Sequence, residues 1–255
     1  MPVNEKTAAL LERLGANLVP LVLIRREILS RCIIELEFAG PVEDLVGKPG
    51  NDVMVDIPTT DPDVQARRRY SIRSIDVTQQ RMRLWIETSS GGPGATWAQQ
   101  LPTGAAIEVI GPRGQISLDL EADWHCFVGD MTFVSAAYAM AEAIEPPGQA
   151  LFVIEVEETE DLVLPQLGDD IAVTVVAVDR AGRLPNDPSG LLAAFAALEL
   201  PELDGHLYFG GELRVVAALR NAAKERGLSD EQISSKPYWR YGVANLPHGE
   251  PKKDS

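Results

Sequence analysis

The segment Arg68-Arg69-Tyr70-Ser71 puts two cations, an aromatic ring and a hydroxyl on one short run of chain. It follows a Pro/Asp-rich stretch and opens an apolar-alternating run, which predicts a strand over residues 70–76. Alternate residues of extended chain share a face, so Arg68 and Tyr70 point the same way. That set suits a flat, charged dinucleotide such as a flavin. The tyrosine ring can lie against an isoalloxazine. The Arg68 guanidinium can pair with a pyrophosphate oxygen. Ser71 can bring its hydroxyl or its N–H close to the flavin N5. The plain alternative is a basic strand edge carrying a cross-strand tyrosine.

Further groups recur down the chain. Gly92-Pro93-Gly94-Ala95-Thr96-Trp97-Ala98 predicts a glycine-rich turn entering a short helix, whose free N–H groups form a ready anion site. Residues 107–110 predict a strand that runs into a tight turn at Gly111-Pro112-Arg113-Gly114. Gly129-Asp130-Met131-Thr132 closes an apolar run, and Asp130 can cap the helix that follows. Gly210-Gly211-Glu212 follows a strand and opens a helix, which allows backbone approach to a nicotinamide nucleotide or a plain strand–helix turn. Pro237-Tyr238-Trp239-Arg240-Tyr241-Gly242 comes near the end.

This order of motifs resembles the siderophore-interacting proteins, a cytoplasmic branch of the ferredoxin-reductase-like flavoproteins. The resemblance runs from about Leu21 to Gly242, and the closing Tyr-Trp-Arg-x-Gly is its most specific part. It implies that Arg68, Tyr70 and Ser71 hold FAD, with Arg73 as a second arginine. It also implies that Gly92, Gly94, Ala95 and Thr96 cradle phosphate. Asp130 and Thr132 then approach the adenine side, and Gly211 and Glu212 the nicotinamide nucleotide. The chain departs from the family at three places. Ala95 replaces a small hydroxyl residue, with Thr96 next to it. Ser89 and Ser90 occupy the neighbourhood of a histidine. Met131 replaces an acidic residue.

The family's substrate is a ferric siderophore, an anionic iron chelate that basic side chains hold beside the flavin. Arg240, Lys236, Lys48 and Arg214 are the cations the resemblance offers for it, while Lys224 suits a solvated helix face. The implied donor is NADH or NADPH. The carboxylates Glu155, Glu157 and Glu158 at a strand end would repel a 2′-phosphate and favour NADH, whereas Arg180 and Arg183 argue for NADPH. No catalytic proton-transfer base is expected, and no metal site. The three histidines are His125, His206 and His248; the first two fall in predicted strands.

The elements that must position these groups fall into two sets. Residues 19–29, 32–38, 52–57, 70–76, 81–87 and 106–110 read as short strands punctuated by Gly, Pro and Asp, which suggests a closed β barrel. After residue 118 apolar runs at 124–128, 151–156, 171–178 and 206–209 alternate with helical segments at 132–144, 190–198 and 212–226. That alternation means a parallel α/β sheet, with a last strand over 233–238. The expected organisation is a helical appendage over 1–17, an FAD-binding barrel over 18–118, an NAD(P)H-binding α/β domain over 119–242 and a polar tail over 243–255.

With 255 residues, the chain can bury a sizeable core. Its net charge of −15 argues against nucleic acid and anionic membrane surfaces as partners. Cys32 and Cys126, the only cysteines, lie in apolar runs and read as core thiols. No leader or membrane-spanning run is evident, so a cytoplasmic location without membrane insertion is expected. Oligomeric state is left open. Two other functions fit: a flavin-dependent electron transferase serving a protein acceptor, and a siderophore-binding protein without enzymatic activity.

Overall fold

The computed structural model describes residues 11–12, 15–58, 66–114 and 116–243. The first half consists of β1 (Asn17–Ile28), β2 (Ile33–Ala39), β3 (Asp52–Ile57), β4 (Ala66–Asp76), β5 (Arg81–Glu87) and β6 (Ala106–Arg113), with α1 (Pro93–Gln100) between the last two strands. The six strands close into an antiparallel barrel in the order β1-β2-β5-β4-β3-β6. Alternation builds its interior: Val19, Leu21 and Leu23 of β1 are buried, while Pro20 and Val22 between them are exposed. Leu36, Phe38, Val53, Val55, Met82, Leu84 and Val109 fill the centre. Each such side chain contributes about 1.5–3 kcal/mol by leaving water.

The second half is a parallel sheet of β7 (Trp124–Asp130), β8 (Gly148–Val156), β9 (Ile171–Asp179), β10 (Gly205–Glu212) and β11 (Ile233–Trp239), in the order β11-β10-β7-β8-β9. The helices are α2 (Val134–Ala141), α3 (Ser189–Ala197) and α4 (Leu213–Glu225). Central strands β7 and β10 are buried along their whole length, as helices on both faces require. Helix α2 covers the face turned to the barrel, where Cys32 and Ile33 join the core of Phe127, Tyr138 and Phe152. Leu191 and Phe195 of α3 and Val215 and Leu219 of α4 cover the other. The chain goes from β7 out to β9 and then back to β10 on the opposite side of β7. The point where the strand order reverses therefore lies between β7 and β10, the usual ligand crevice of such a sheet.

Several boundaries differ from the sequence reading, and strand pairing is the reason. Strand β4 starts at Ala66, because Ala66 and Arg67 pair with Ile57 and Asp56. Strand β6 continues through Gly111-Pro112-Arg113 where a tight turn was expected, because Gly111 pairs with Asn17 and Arg113 with Asp52. Strand β10 likewise takes in Gly210-Gly211-Glu212, paired to β11. Helix α2 begins only at Val134 and has no side-chain cap, so Asp130 is not its cap. Of the expected 1–17 appendage, residues 11–12 are helix, residue 15 is a turn and Asn17 already belongs to β1, while the 244–255 part of the expected tail lies outside the described residues. Both cysteines are buried free thiols.

Candidate flavin site and domain seam

The barrel brings its predicted site residues together at the start of α1. A Cβ at Gly94 would stand 2.6 Å from the Tyr70 hydroxyl and 3.7 Å from Cγ of Arg68, so strand and helix meet there with no room for a side chain. Gly92 is the N-cap and has no side chain to bond the first N–H groups of α1. The Tyr70 hydroxyl is buried with no hydrogen-bond partner among the described residues, and burial pushes its pKa up. An orphaned buried hydroxyl, Arg68 and uncapped helix N–H groups converge on one spot, which fits a dinucleotide phosphate. One face of Tyr70 is already stacked on Trp97, with ring centroids 5.7 Å apart. Ala95 is buried and Thr96 exposed, so core packing explains the small residue at 95.

The other side of β4 meets the sheet. Ser71 is buried; its hydroxyl lies 3.3 Å from that of Tyr238, and its carbonyl accepts from Ser135 Oγ at 3.1 Å. The register of β4 against β5 shifts between Ile72 and Ser74. This bulge re-aims Arg73. Arg73 does not join Arg68: its guanidinium bonds Glu142 just after α2 at 2.6 Å and lies 4.7 Å over the Trp85 ring. Its place is a tie between the two halves. Asp52 of β3 forms another. It takes Arg69 in a two-pronged pair at 2.9 and 2.5 Å, and Lys236 of β11 at 2.5 Å. Arg31 forms a third with Asp161, at 2.9 and 2.7 Å.

The Arg31 hydrogen bond holds the Asp161 carboxyl below its ordinary pKa. A depressed carboxylate stabilises the fold fully above the unfolded value of about 3.9, and that stabilisation is lost as pH falls through the lower folded value. Arg31→Ala is expected to lower the melting temperature at neutral pH, with the gap to wild type closing in strong acid. A gap that stays constant with pH would show that Asp161 gains nothing from Arg31.

At the crevice between β7 and β10, Asp130 is a buried acceptor for four donors. Thr132 N and Oγ1 bond Oδ1 at 2.9 and 2.5 Å, while Glu212 N and Trp239 Nε1 bond Oδ2 at 3.0 and 2.9 Å. Burial raises its pKa, opposed chiefly by the hydrogen bonds from Thr132 and Trp239. Gly211 has φ +129, and a Cβ there would collide with this carboxylate. Met131 is a core residue, which accounts for an apolar side chain in that position. Glu212 Oε2 accepts from the N–H groups of Arg214 and Val215, and its Oε1 accepts from Tyr241 N at 3.1 Å. The α4 N-terminus thus carries its own anion, unlike that of α1.

The closing motif lies across this seam. Tyr238 meets Ser71, Trp239 meets Asp130, and the Tyr241 backbone meets Glu212. Arg240 between them is exposed, and its guanidinium has no ion-pair or hydrogen-bond partner among the described residues. Lys48 and Arg214 are also exposed. Lys236 is committed to Asp52. The three acidic residues expected to repel a 2′-phosphate are all paired. Arg180 bonds both Glu155, at 3.1 Å, and Glu157, and Arg31 bonds Glu158 at 3.1 Å.

Sequence reasoning missed Asp52, Arg69 and Ser135. Asp52 had one visible signal, a carboxylate directly before the apolar run Val53-Met54-Val55.

A closed six-stranded barrel followed by a five-stranded parallel sheet defines a ferredoxin-reductase-like flavoprotein fold. The ferredoxin reductase of carbazole 1,9a-dioxygenase has this fold: TM-score 0.70 at 18% identity, over 88% of this chain and 68% of that one. A siderophore utilization protein from T. fusca superposes with TM-score 0.80 at 22% identity, over 91% of this chain and 96% of that one. In sequence, the ferric vibriobactin reductase of Vibrio cholerae is 25% identical over 245 residues, covering 86% of this chain and 88% of that protein. Residues 43–116 match the siderophore-interacting FAD-binding domain, and residues 122–242 match the siderophore-interacting protein family. The chain belongs to the siderophore-interacting protein family and carries its FAD-binding domain.

Proposed function

We propose that this chain is an FAD-dependent reductase of ferric siderophores that draws on NADH or NADPH and works in the cytoplasm. The observation that carries this reading is the bare α1 N-terminus beside the orphaned Tyr70 hydroxyl and Arg68, in a chain of this family. No described helix is long and apolar enough to cross a membrane. Bound FAD would supply hydride acceptance from the nicotinamide and single-electron delivery to chelated Fe(III). Arg68 and the α1 N–H groups would hold the pyrophosphate, and Ser71 would border the ring. Arg240 would hold the anionic chelate, with Lys48 and Arg214 as further exposed cations. The reaction asks for no proton-transfer base. Burial pushes the pKa of His125 down to about 4, and His206 is held between Asp119 and Ser234.

The test is an FAD titration followed by anaerobic bleaching with NADH and with NADPH, then addition of ferric chelates. Saturable FAD binding, bleaching by either nucleotide and reoxidation by a ferric chelate are expected. Absence of saturable binding ends the proposal at its first step. Arg240→Gln should raise KM for the chelate, with the melting temperature and the bleaching step unchanged. An unaltered KM with a lowered melting point would remove Arg240 from the substrate site.

A further inference from the structure

The ion cluster under the seam has a feature that the FAD and chelate contacts do not need. Asp52 lies at the start of β3, is wholly buried, and is the register partner of Ser71. Its two cations come from different halves of the molecule, Arg69 from β4 and Lys236 from β11. Lys236 Nζ lies 5.0 Å from the Tyr238 ring centroid, and the Tyr238 hydroxyl reaches Ser71. The cluster therefore includes a residue of β4, the strand proposed to border the flavin, and only the Tyr238 side chain stands between Lys236 and Ser71.

We propose that Asp52 is a positioning residue for electron transfer: by bonding Arg69 and Lys236 at once it fixes the spacing and the net charge of the cations at the seam, and so sets the potential at which a flavin beside Ser71 is reduced. This rests on the FAD site proposed above. Reduction adds negative charge to the ring, and charges buried near it act through a low dielectric. A net positive cluster favours the reduced form.

The charged and titratable groups facing Lys236 are Asp52 of β3, Arg69 of β4, Arg113 of β6 and Tyr238 of its own strand. Burial pulls the ammonium towards its neutral form, and Arg69 and Arg113 act in the same direction. Of these groups only Asp52, through its charge and its hydrogen bond, keeps the proton on. Neutralising Asp52 leaves the partly buried Arg69 and Lys236 cations without the carboxylate they share, a costly arrangement. Lys236 then relieves it by losing its proton.

The experiment uses Asp52→Asn, Lys236→Met and the double variant. In the apo protein, the Lys236 Cε chemical shift is followed against pH. In the FAD-loaded protein, the flavin midpoint potential is measured at several pH values. In Asp52→Asn the lysine midpoint is expected to move down towards neutrality. The flavin potential should be above wild type in acid and fall more steeply as pH rises. Lys236→Met should lie below wild type throughout. The double variant, whose net charge matches wild type, should return to the wild-type potential despite lacking both partners. A purely structural role would lower the melting temperature in all three and leave the potentials unordered by charge, which would overturn the proposal. An unmoved Lys236 midpoint in Asp52→Asn would overturn it as well. That titration needs no FAD, so it judges Asp52 even if wild type binds none, an outcome that would sink the functional reading instead.

Discussion

Gly94→Val is expected to abolish useful FAD binding while leaving the barrel folded. A Cβ alone would stand 2.6 Å from the Tyr70 hydroxyl. The tyrosine cannot swing away freely, because its ring is stacked on Trp97 inside the barrel. The valine side chain would therefore push the start of α1 away from β4 and displace the N–H groups proposed to hold the pyrophosphate. Gly94 is half-buried and is the second residue of α1, so the strain falls on the contact between β4 and α1 and not on the barrel interior. A rise in Kd of at least about 100-fold, near 2.7 kcal/mol, is expected by fluorescence titration. Tyr70→Phe supplies the contrast. It removes the orphaned hydroxyl without filling the space, so it should weaken FAD mildly and stabilise the apo protein. If Gly94→Val binds FAD as wild type does, the close meeting of β4 and α1 is not what holds the dinucleotide.

The sequence made the two halves legible because their periodicities differ. Period-two runs such as Val19, Leu21 and Leu23 gave the barrel, and continuous apolar runs such as Cys126 to Val128 gave the buried parallel strands. Arg68, Tyr70 and Gly94 were readable as a site because each belongs to a local motif, and they do converge. What could not be read was partnership across distance. Lys236 was expected to face the chelate, but a carboxylate 184 positions away holds it. Arg73 was expected to join Arg68, but a one-residue bulge sends it to Glu142. The acidic residues at the end of β8 looked free only because the arginines that pair with them lie in other segments. The sequence left Gly210-Gly211-Glu212 as a nucleotide approach or a plain strand–helix turn, and the Glu212 side chain caps the helix that follows.

Asp130→Ala is expected to produce the largest loss of stability among single changes at the site. One buried carboxylate satisfies donors from three places: Thr132 just after β7, Glu212 at the end of β10 and Trp239 at the end of β11. Truncation strands the Glu212 N–H and the Trp239 indole N–H where water does not readily reach. Each such group costs roughly 1–3 kcal/mol, so a loss of about 2–6 kcal/mol is expected by chemical denaturation. Asp130→Asn should not rescue it. Its oxygen can keep Thr132, but its NH2 would then face two further N–H donors. Trp239→Phe removes one of those donors. Trp239→Phe in the Asp130→Asn background should therefore cost much less than in wild type, a coupling that a double-mutant cycle measures. The same stitch holds Trp239 beside Arg240, the exposed cation proposed to meet the iron chelate. Any Asp130 variant that still folds and binds FAD should accordingly show a raised KM for the chelate. Additive stability losses, or a wild-type KM in a destabilised Asp130 variant, would separate the crevice from the closing motif.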